Sequence, residues 1–191
     1  VRVGVFALQG DVREHLRTLA AVGVDSIEVR NAADLASVDG LILPGGESTT
    51  ISKLIDIFSL RKNLIDFITS GRPVFGTCAG MIMLAKEVLD AASGQRSLEA
   101  MDISVRRNAF GSQLDSFETE LEFDGKLAKV AFIRAPIVER VGPSVEVLSK
   151  LPNGAVVAVR SGNLLATAFH PELTGDNSVH EYFVAMVSKS L

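Results

Sequence analysis

The chain holds one cysteine, Cys78, and it stands in Pro73-Val74-Phe75-Gly76-Thr77-Cys78-Ala79-Gly80, an apolar run leading through a Gly-x-Cys-x-Gly turn into a helix that begins near Ala79-Gly80-Met81. This is the thiol form of a nucleophile elbow, a sharp strand-to-helix turn that exposes the attacking atom in a strained backbone. Small residues are needed two positions either side of such a nucleophile, and Gly76 and Gly80 meet that need. The helix start sets unpaired N–H groups and positive dipole beside the sulfur, which favours the reactive thiolate. The plainer alternative is a cysteine used as core filler. Flanking glycines argue against it, since each costs about 0.5–1 kcal/mol in regular structure.

A base for that thiol stands in Phe169-His170-Pro171-Glu172, after the apolar run Leu164 to Ala168. His170 therefore sits at a strand end, where a parallel α/β sheet presents its site. Its imidazole can take the thiol proton and return it to a leaving group. Glu172 can hold the far ring nitrogen, and Pro171 stiffens the connection. The chain has three histidines, and His15 and His180 lie in stretches that read as helix. For Arg13, Glu14 and His15 the expectation is an exposed helix face.

The elements that must position these groups alternate in the first half of the chain between β-branched runs and amphipathic stretches, the pattern of a helix-covered parallel sheet. Strands are expected near Val3 to Leu8, Ser26 to Arg30, Gly40 to Leu43 and Pro73 to Phe75, and helices near Asp11 to Ala21, Ser48 to Phe58, Leu60 to Ser70 and Ala79 to Lys86. Asp11 and Ser48 are residue types that cap helix starts. From Met101 to Val159 short alternating segments, broken by Asn108, Gly111, Gly125, Pro136, Pro143 and Gly154, read as antiparallel strands appended to the core. A helix over Asn177 to Lys189 closes the chain, and no repeat or linker divides it, so residues 1–191 are expected to form a single domain.

Composition sets limits. With 191 residues, 47% hydrophobic and 22% charged, the chain reads as globular and able to bury a core without staples. A net charge of −4, with Arg106 and Arg107 the nearest approach to a basic cluster, argues against nucleic acid as partner. Apolar runs such as Met81 to Ala85 are far shorter than the roughly 20 residues of a membrane helix. With no leader pattern at Val1 to Leu8, a cytoplasmic location is expected. One cysteine permits neither an internal disulfide nor a multi-cysteine zinc site.

Together these residues resemble the class I (triad) glutamine amidotransferases and, within them, the glutaminase subunits of pyridoxal 5'-phosphate synthases. The resemblance rests on Leu8-Gln9-Gly10-Asp11-Val12-Arg13-Glu14-His15, Leu43-Pro44-Gly45-Gly46-Glu47-Ser48-Thr49-Thr50, the elbow, Arg107-Asn108-Ala109-Phe110-Gly111, Phe132-Ile133-Arg134-Ala135-Pro136 and Phe169-His170-Pro171-Glu172-Leu173-Thr174. It implies a three-layer, flavodoxin-like α/β fold with a mostly parallel central sheet, helices on both faces and a small antiparallel extension. It implies a triad of Cys78, His170 and Glu172 that hydrolyses L-glutamine to glutamate and ammonia through a glutamyl thioester. It also implies oxyanion donors at Gly46 and Ala79, and substrate contacts at Gly46, Glu47, Ser48, Arg107, Ile133 and Arg134. Arg106 is an alternative to Arg107, because neighbours on a strand face opposite sides.

A thiolate, a base and two amide donors suffice for acyl transfer, so neither metal nor organic cofactor is expected. The implied partner is a separate synthase subunit, a (β/α)8 barrel in a hetero-oligomer, whose docking near Gln9-Gly10-Asp11 orders the Gly45-Gly46 loop. Two alternatives stay open from sequence: a glutaminase serving a different acceptor synthase, and a non-catalytic relative acting as a binding or redox module.

Overall fold

The computed structural model describes residues 1–108 and 116–191. Strands β1 (Arg2–Phe6), β2 (Asp25–Val29), β3 (Gly40–Leu43), β4 (Val74–Thr77) and β12 (Leu164–Thr167) form the parallel half of a ten-stranded sheet, in the order β2-β1-β3-β4-β12. The sheet continues through β11 (Val156–Ser161), β9 (Ile137–Val141), β6 (Met101–Arg106) and β5 (Ala85–Val88), with β10 (Glu146–Lys150) paired to β11. The pairings β12-β11, β11-β9 and β9-β6 are antiparallel, while β6 and β5 run parallel. Strands β7 (Phe117–Phe123) and β8 (Lys126–Phe132) form a separate antiparallel ribbon.

Burial follows the sequence pattern. Every residue of β3, β4 and β12 is buried, as expected of central strands covered on both faces. On β4, Phe75 packs against Phe183 of α6 (Ser178–Ser190) and lies edge-on to His15 of α1 (Val12–Ala21). Gly76, one residue on, faces α5 (Ala79–Leu84) instead. Successive strand residues point to opposite faces, so α1 and α6 cover one side and α5, with α3 (Ser48–Ile57) packed on it, the other. Helices α2 (Ala32–Ala36) and α4 (Arg61–Thr69) complete the layers.

One boundary and two capping roles differ from expectation, each for a local reason. The helix after the elbow ends at Leu84, because Ala85 to Val88 leave it to pair with β6. Ser48 is the first residue of α3 rather than its cap, and its buried hydroxyl accepts a hydrogen bond from Gln95 Nε2 at 2.9 Å. Asp11 does sit at the cap of α1 but makes no side-chain cap bond; its carboxylate turns toward His170, 3.4 Å from Nδ1.

The expectation of an exposed face at His15 is overturned. The residue is fully buried, because its side of α1 packs against α6 and β4. Arg13 is exposed and Glu14 half-buried.

Candidate active site

Register explains why distant residues meet. Leu43 of β3 and Ala166 of β12 both pair with Gly76 of β4, and Thr167 pairs with Thr77. The three parallel strands therefore end side by side, and the residues that follow them, Gly45-Gly46, Cys78 and His170, emerge at one edge of the sheet. The second half reaches the same place. Arg106 pairs with Ile137, so the end of β6 lies beside the start of β9 and brings Arg107 near Ile133 and Arg134.

The elbow is built as its glycines require. Cys78 has φ +49° and ψ −103°, a positive-φ conformation that non-glycine residues rarely hold. Its N–H donates to Thr167 O at 2.8 Å, and its carbonyl accepts from Ile82 N at 3.2 Å, pinning the turn on both sides. A Cβ on Gly76 would strike the Gly80 backbone, and one on Gly80 would collide with the Leu43 carbonyl. The two glycines thus let α5 cross directly over β4 and β3.

His170 and Glu172 follow β12, the strand next to β4. His170 exchanges backbone hydrogen bonds with Ala131 of β8, at 2.7 and 3.3 Å, which fastens its segment to the β7-β8 ribbon. Its Nδ1–H donates to Glu172 Oε1 at 2.6 Å, both side chains being buried; the intervening Pro171 opens a single 3-10 turn, Pro171–Leu173. Burial pushes the Glu172 carboxyl up, and the neighbouring imidazole partly pulls it back. Burial also disfavours a charged His170, but hydrogen bonds and charge from Cys78 and Glu172 outweigh it, and the imidazole is pushed up to about 11. Cys78 is 7% exposed and its sulfur lies 3.9 Å from the Ile133 carbonyl.

A cleft of about 330 Å³ opens over these groups, at the small end of the ~300–1,000 Å³ usual for small-molecule sites. Cys78, His170, Gly46, Glu47, Ser48, Arg107, Ile133 and Arg134 all line it. Of the other expected residues, Glu172 lies behind His170, and Ala79 stands at the first position of α5, where the first-turn amides have no intrahelical partner. Arg107 rather than Arg106 faces the cleft, since Arg106 turns away to Glu139 at 2.5 Å. Ala109, Phe110 and Gly111 lie outside the described residues.

Two participants, Gln95 and Asp90, carry no signal in the sequence, and the Gln9-Gly10-Asp11 run makes contacts that the sequence does not specify. Gln95 Oε1 accepts from Arg107 Nη1 at 3.1 Å while its Nε2 donates to Ser48, and Asp90 accepts from Arg107 N at 2.8 Å. This chain of contacts fixes the guanidinium at the cleft wall. Gln9 Oε1 accepts from Glu47 N at 2.9 Å, and Asp11 N donates to Gly45 O at 3.0 Å. The loop after β1 therefore holds the Gly45-Gly46 loop from outside. Gln9 and Asp11 stand in a recognisable run, whereas nothing in Leu89 to Ala100 marks Gln95. Asp11, His170 and Glu172 also place one ligand-type atom each within 4.8 Å of one another. The short His170–Glu172 bond accounts for that cluster without a cation.

The chain matches a protein-family model described as the SNO glutamine amidotransferase family over residues 5–189. It is 56% identical to "Pyridoxal 5'-phosphate synthase subunit PdxT" of Acidothermus cellulolyticus, across 98% of this chain and 94% of that protein. A protein of the same name from Dehalococcoides mccartyi is 56% identical across 97% of each chain. Among solved structures, a glutamine amidotransferase crystal structure superposes with TM-score 0.92 at 45% identity, covering 97% of this chain and 98% of that one. A structure of PurLQS from Thermotoga maritima, at 14% identity and TM-score 0.67 over 96% of this chain and 97% of that one, shares the fold.

Proposed function

This chain belongs to the SNO glutamine amidotransferase family, and we propose that it is the glutaminase subunit of a pyridoxal 5'-phosphate synthase, freeing ammonia from L-glutamine at Cys78. One observation carries the reading of the site: the lone sulfur, held at positive φ on an elbow, shares a cleft with an imidazole that a buried carboxylate grips at 2.6 Å.

The Cys78 thiolate attacks the amide carbon and the C=O pair moves onto oxygen, where the N–H groups of Gly46 and Ala79 receive the charge. Preorganised donors of this kind are worth about 3–4 kcal/mol each in rate. As the oxyanion collapses the C–N bond breaks, and His170 gives its proton to the departing nitrogen, releasing ammonia and leaving a γ-glutamyl thioester. With its pKa raised to about 11, the imidazole holds that proton at neutral pH. Having lost it, His170 takes a proton from water, whose oxygen attacks the thioester and releases glutamate. Arg107, with donors beyond those bound to Gln95, suits the α-carboxylate of glutamine, which a guanidinium fork pairs well.

Ammonia is protonated in water and lost to chemistry, so its release is useful only beside an acceptor site. The synthase partner supplies that site, and by family resemblance it is a (β/α)8 barrel in a hetero-oligomer, met in the cytoplasm. No helix among the described residues is long and apolar enough to cross a membrane. A partner docked at Gln9–Asp11 would act on the oxyanion loop through the two hydrogen bonds from that segment. The test is steady-state release of glutamate and ammonia by the chain with and without its synthase subunit. Stimulation by the partner is expected; full activity alone refutes the docking step, and no glutamine hydrolysis in the complex refutes the function.

A further inference from the structure

Behind the proposed triad lies a buried polar column that the chemistry above does not use. His15 Nε2 lies 3.6 Å from Glu172 Oε1 and 3.2 Å from Thr77 Oγ1, and its Nδ1 lies 2.9 Å from Nε2 of His180 on α6. His15 and His180 are both fully buried. All three histidines of the chain thus stand in one line with Glu172, in the order His180, His15, Glu172, His170.

The line has a direction, which follows from protons. His180 Nδ1 is buried without a hydrogen-bond partner. A buried N–H left unpaired is rarer and costlier than an under-used acceptor, so the His180 proton belongs on Nε2. That N–H then donates to His15 Nδ1, which must be the bare nitrogen, and the His15 proton is left on Nε2. There it points at the Thr77 hydroxyl and the Glu172 carboxylate. The opposite assignment would orphan the His180 N–H and aim a His15 lone pair at an anion. Both faults are removed by one choice of tautomer.

We propose that His15, held in its Nε2–H tautomer by His180, is a positioning residue that keeps the Glu172 carboxylate ionised and aligned on His170. The proposal rests on the glutaminase reading of the site and adds a second rank behind it. Burial, with the charges of His180 and His170, holds His15 well below the ordinary histidine range, and burial lowers His180 to about 4. Both rings are therefore neutral at working pH and act as dipoles, adding no second cation. The titratable groups facing His15 are His180 from α6 and Glu172 and His170 from the segment after β12; β4 contributes Thr77 and the edge of Phe75. Glu172 needs such help, because its other oxygen, Oε2, is buried without a hydrogen-bond partner.

The tautomer is read on the unsubstituted full chain by long-range proton–nitrogen NMR of histidine-labelled protein. Protonated Nε2 and bare Nδ1 are expected at both His15 and His180; a proton on Nδ1 of His15 overturns the proposal. The function is read in the complex with the synthase subunit. His15→Leu, which removes the N–H dipole that lies 3.6 Å from Glu172 Oε1, is expected to lower kcat about tenfold. KM for glutamine should stay within about twofold, as for a group that does not bind the ground state. His15→Gln, which can return an N–H near the Nε2 position, should recover most of the loss. A folded His15→Leu protein with unchanged kcat, or one in which KM alone rises, overturns it. Should the variants not fold, the tautomer measurement decides. If the unsubstituted complex hydrolyses no glutamine, the proposed function fails, and the NMR still reports on the column.

Discussion

The two halves of the sheet contribute to the cleft in different ways. The parallel half supplies Cys78, His170 and Gly46 from three adjacent strand ends, and the cysteine and histidine are 7% and 4% exposed. The link from the β7-β8 ribbon into β9 of the antiparallel half supplies Ile133 and Arg134, both exposed, and the end of β6 supplies Arg107. Atoms that form and break bonds must be held to fractions of an ångström, and a packed core with a pinned elbow does this. Groups that recognise a substrate's outer atoms can sit on a rim, where ligand and side chain adjust to each other. Strain is found in both halves, at Cys78 and at Arg134 (φ +46°), but only Cys78 has a neighbour on each side that must be glycine for lack of space.

Substitutions can break this division, and the largest effect belongs to the buried half. Cys78→Ala should lower glutamine hydrolysis in the complex by about 10⁴-fold or more with the fold intact, measured as ammonia release alongside circular dichroism. Glu172→Gln should cost about 10²–10³-fold in kcat with KM little changed, since it removes the charge that orients and stabilises the imidazolium. The rim should answer differently. Arg107→Ala is expected to raise KM for glutamine about tenfold with a smaller change in kcat, as for a lost carboxylate contact. Arg106→Ala, which breaks only an exposed pair with Glu139, should leave both constants unchanged. Equal effects from the two arginines would erase the distinction between rim and surface.

The smallest effect is on stability. His180 has a folded pKa of about 4 against an ordinary 6.5, so the unfolded chain binds its proton first as pH falls. Stability from this group is therefore full above 6.5 and declines as the pH drops from 6.5 through 4, with His15 acting in the same sense. Glu172 and Asp11, both raised by burial, work in the opposite direction. The comparison between variants is thus more telling than the absolute slope. His180→Asn should flatten the fall in melting temperature between neutral and acid pH by a few degrees, and an unchanged slope would remove the histidine from that role.

Legibility in the sequence follows the same division. The parallel strands were readable because central strands are continuous apolar runs, and the elbow because steric demands on Gly76 and Gly80 leave a local mark. The strand at Ala85 to Val88 was not, since those residues extend the apolar pattern of α5 and only their partner β6 decides against helix. Arg13, Glu14 and Arg17 surround His15 with charge and give it the pattern of an exposed face, whereas its burial depends on α6, more than 150 residues away. Gln95 was invisible, because a residue that braces Arg107 from an irregular segment carries no periodicity. The sequence marks Asp11 as a cap-type residue and as part of the Gln9-Gly10-Asp11 docking run, and its approach to His170 appears only once β1 and β12 have brought the two together.

The most direct measurement is to treat the complex with a diazo-ketone analogue of glutamine and locate the covalent adduct by peptide mass. A single adduct on the Cys78 peptide is expected, formed much more slowly when His170 is replaced by Asn. An adduct on any other residue, or labelling of Cys78 at the same rate without the imidazole, would contradict the pairing of sulfur and base on which the chemistry rests.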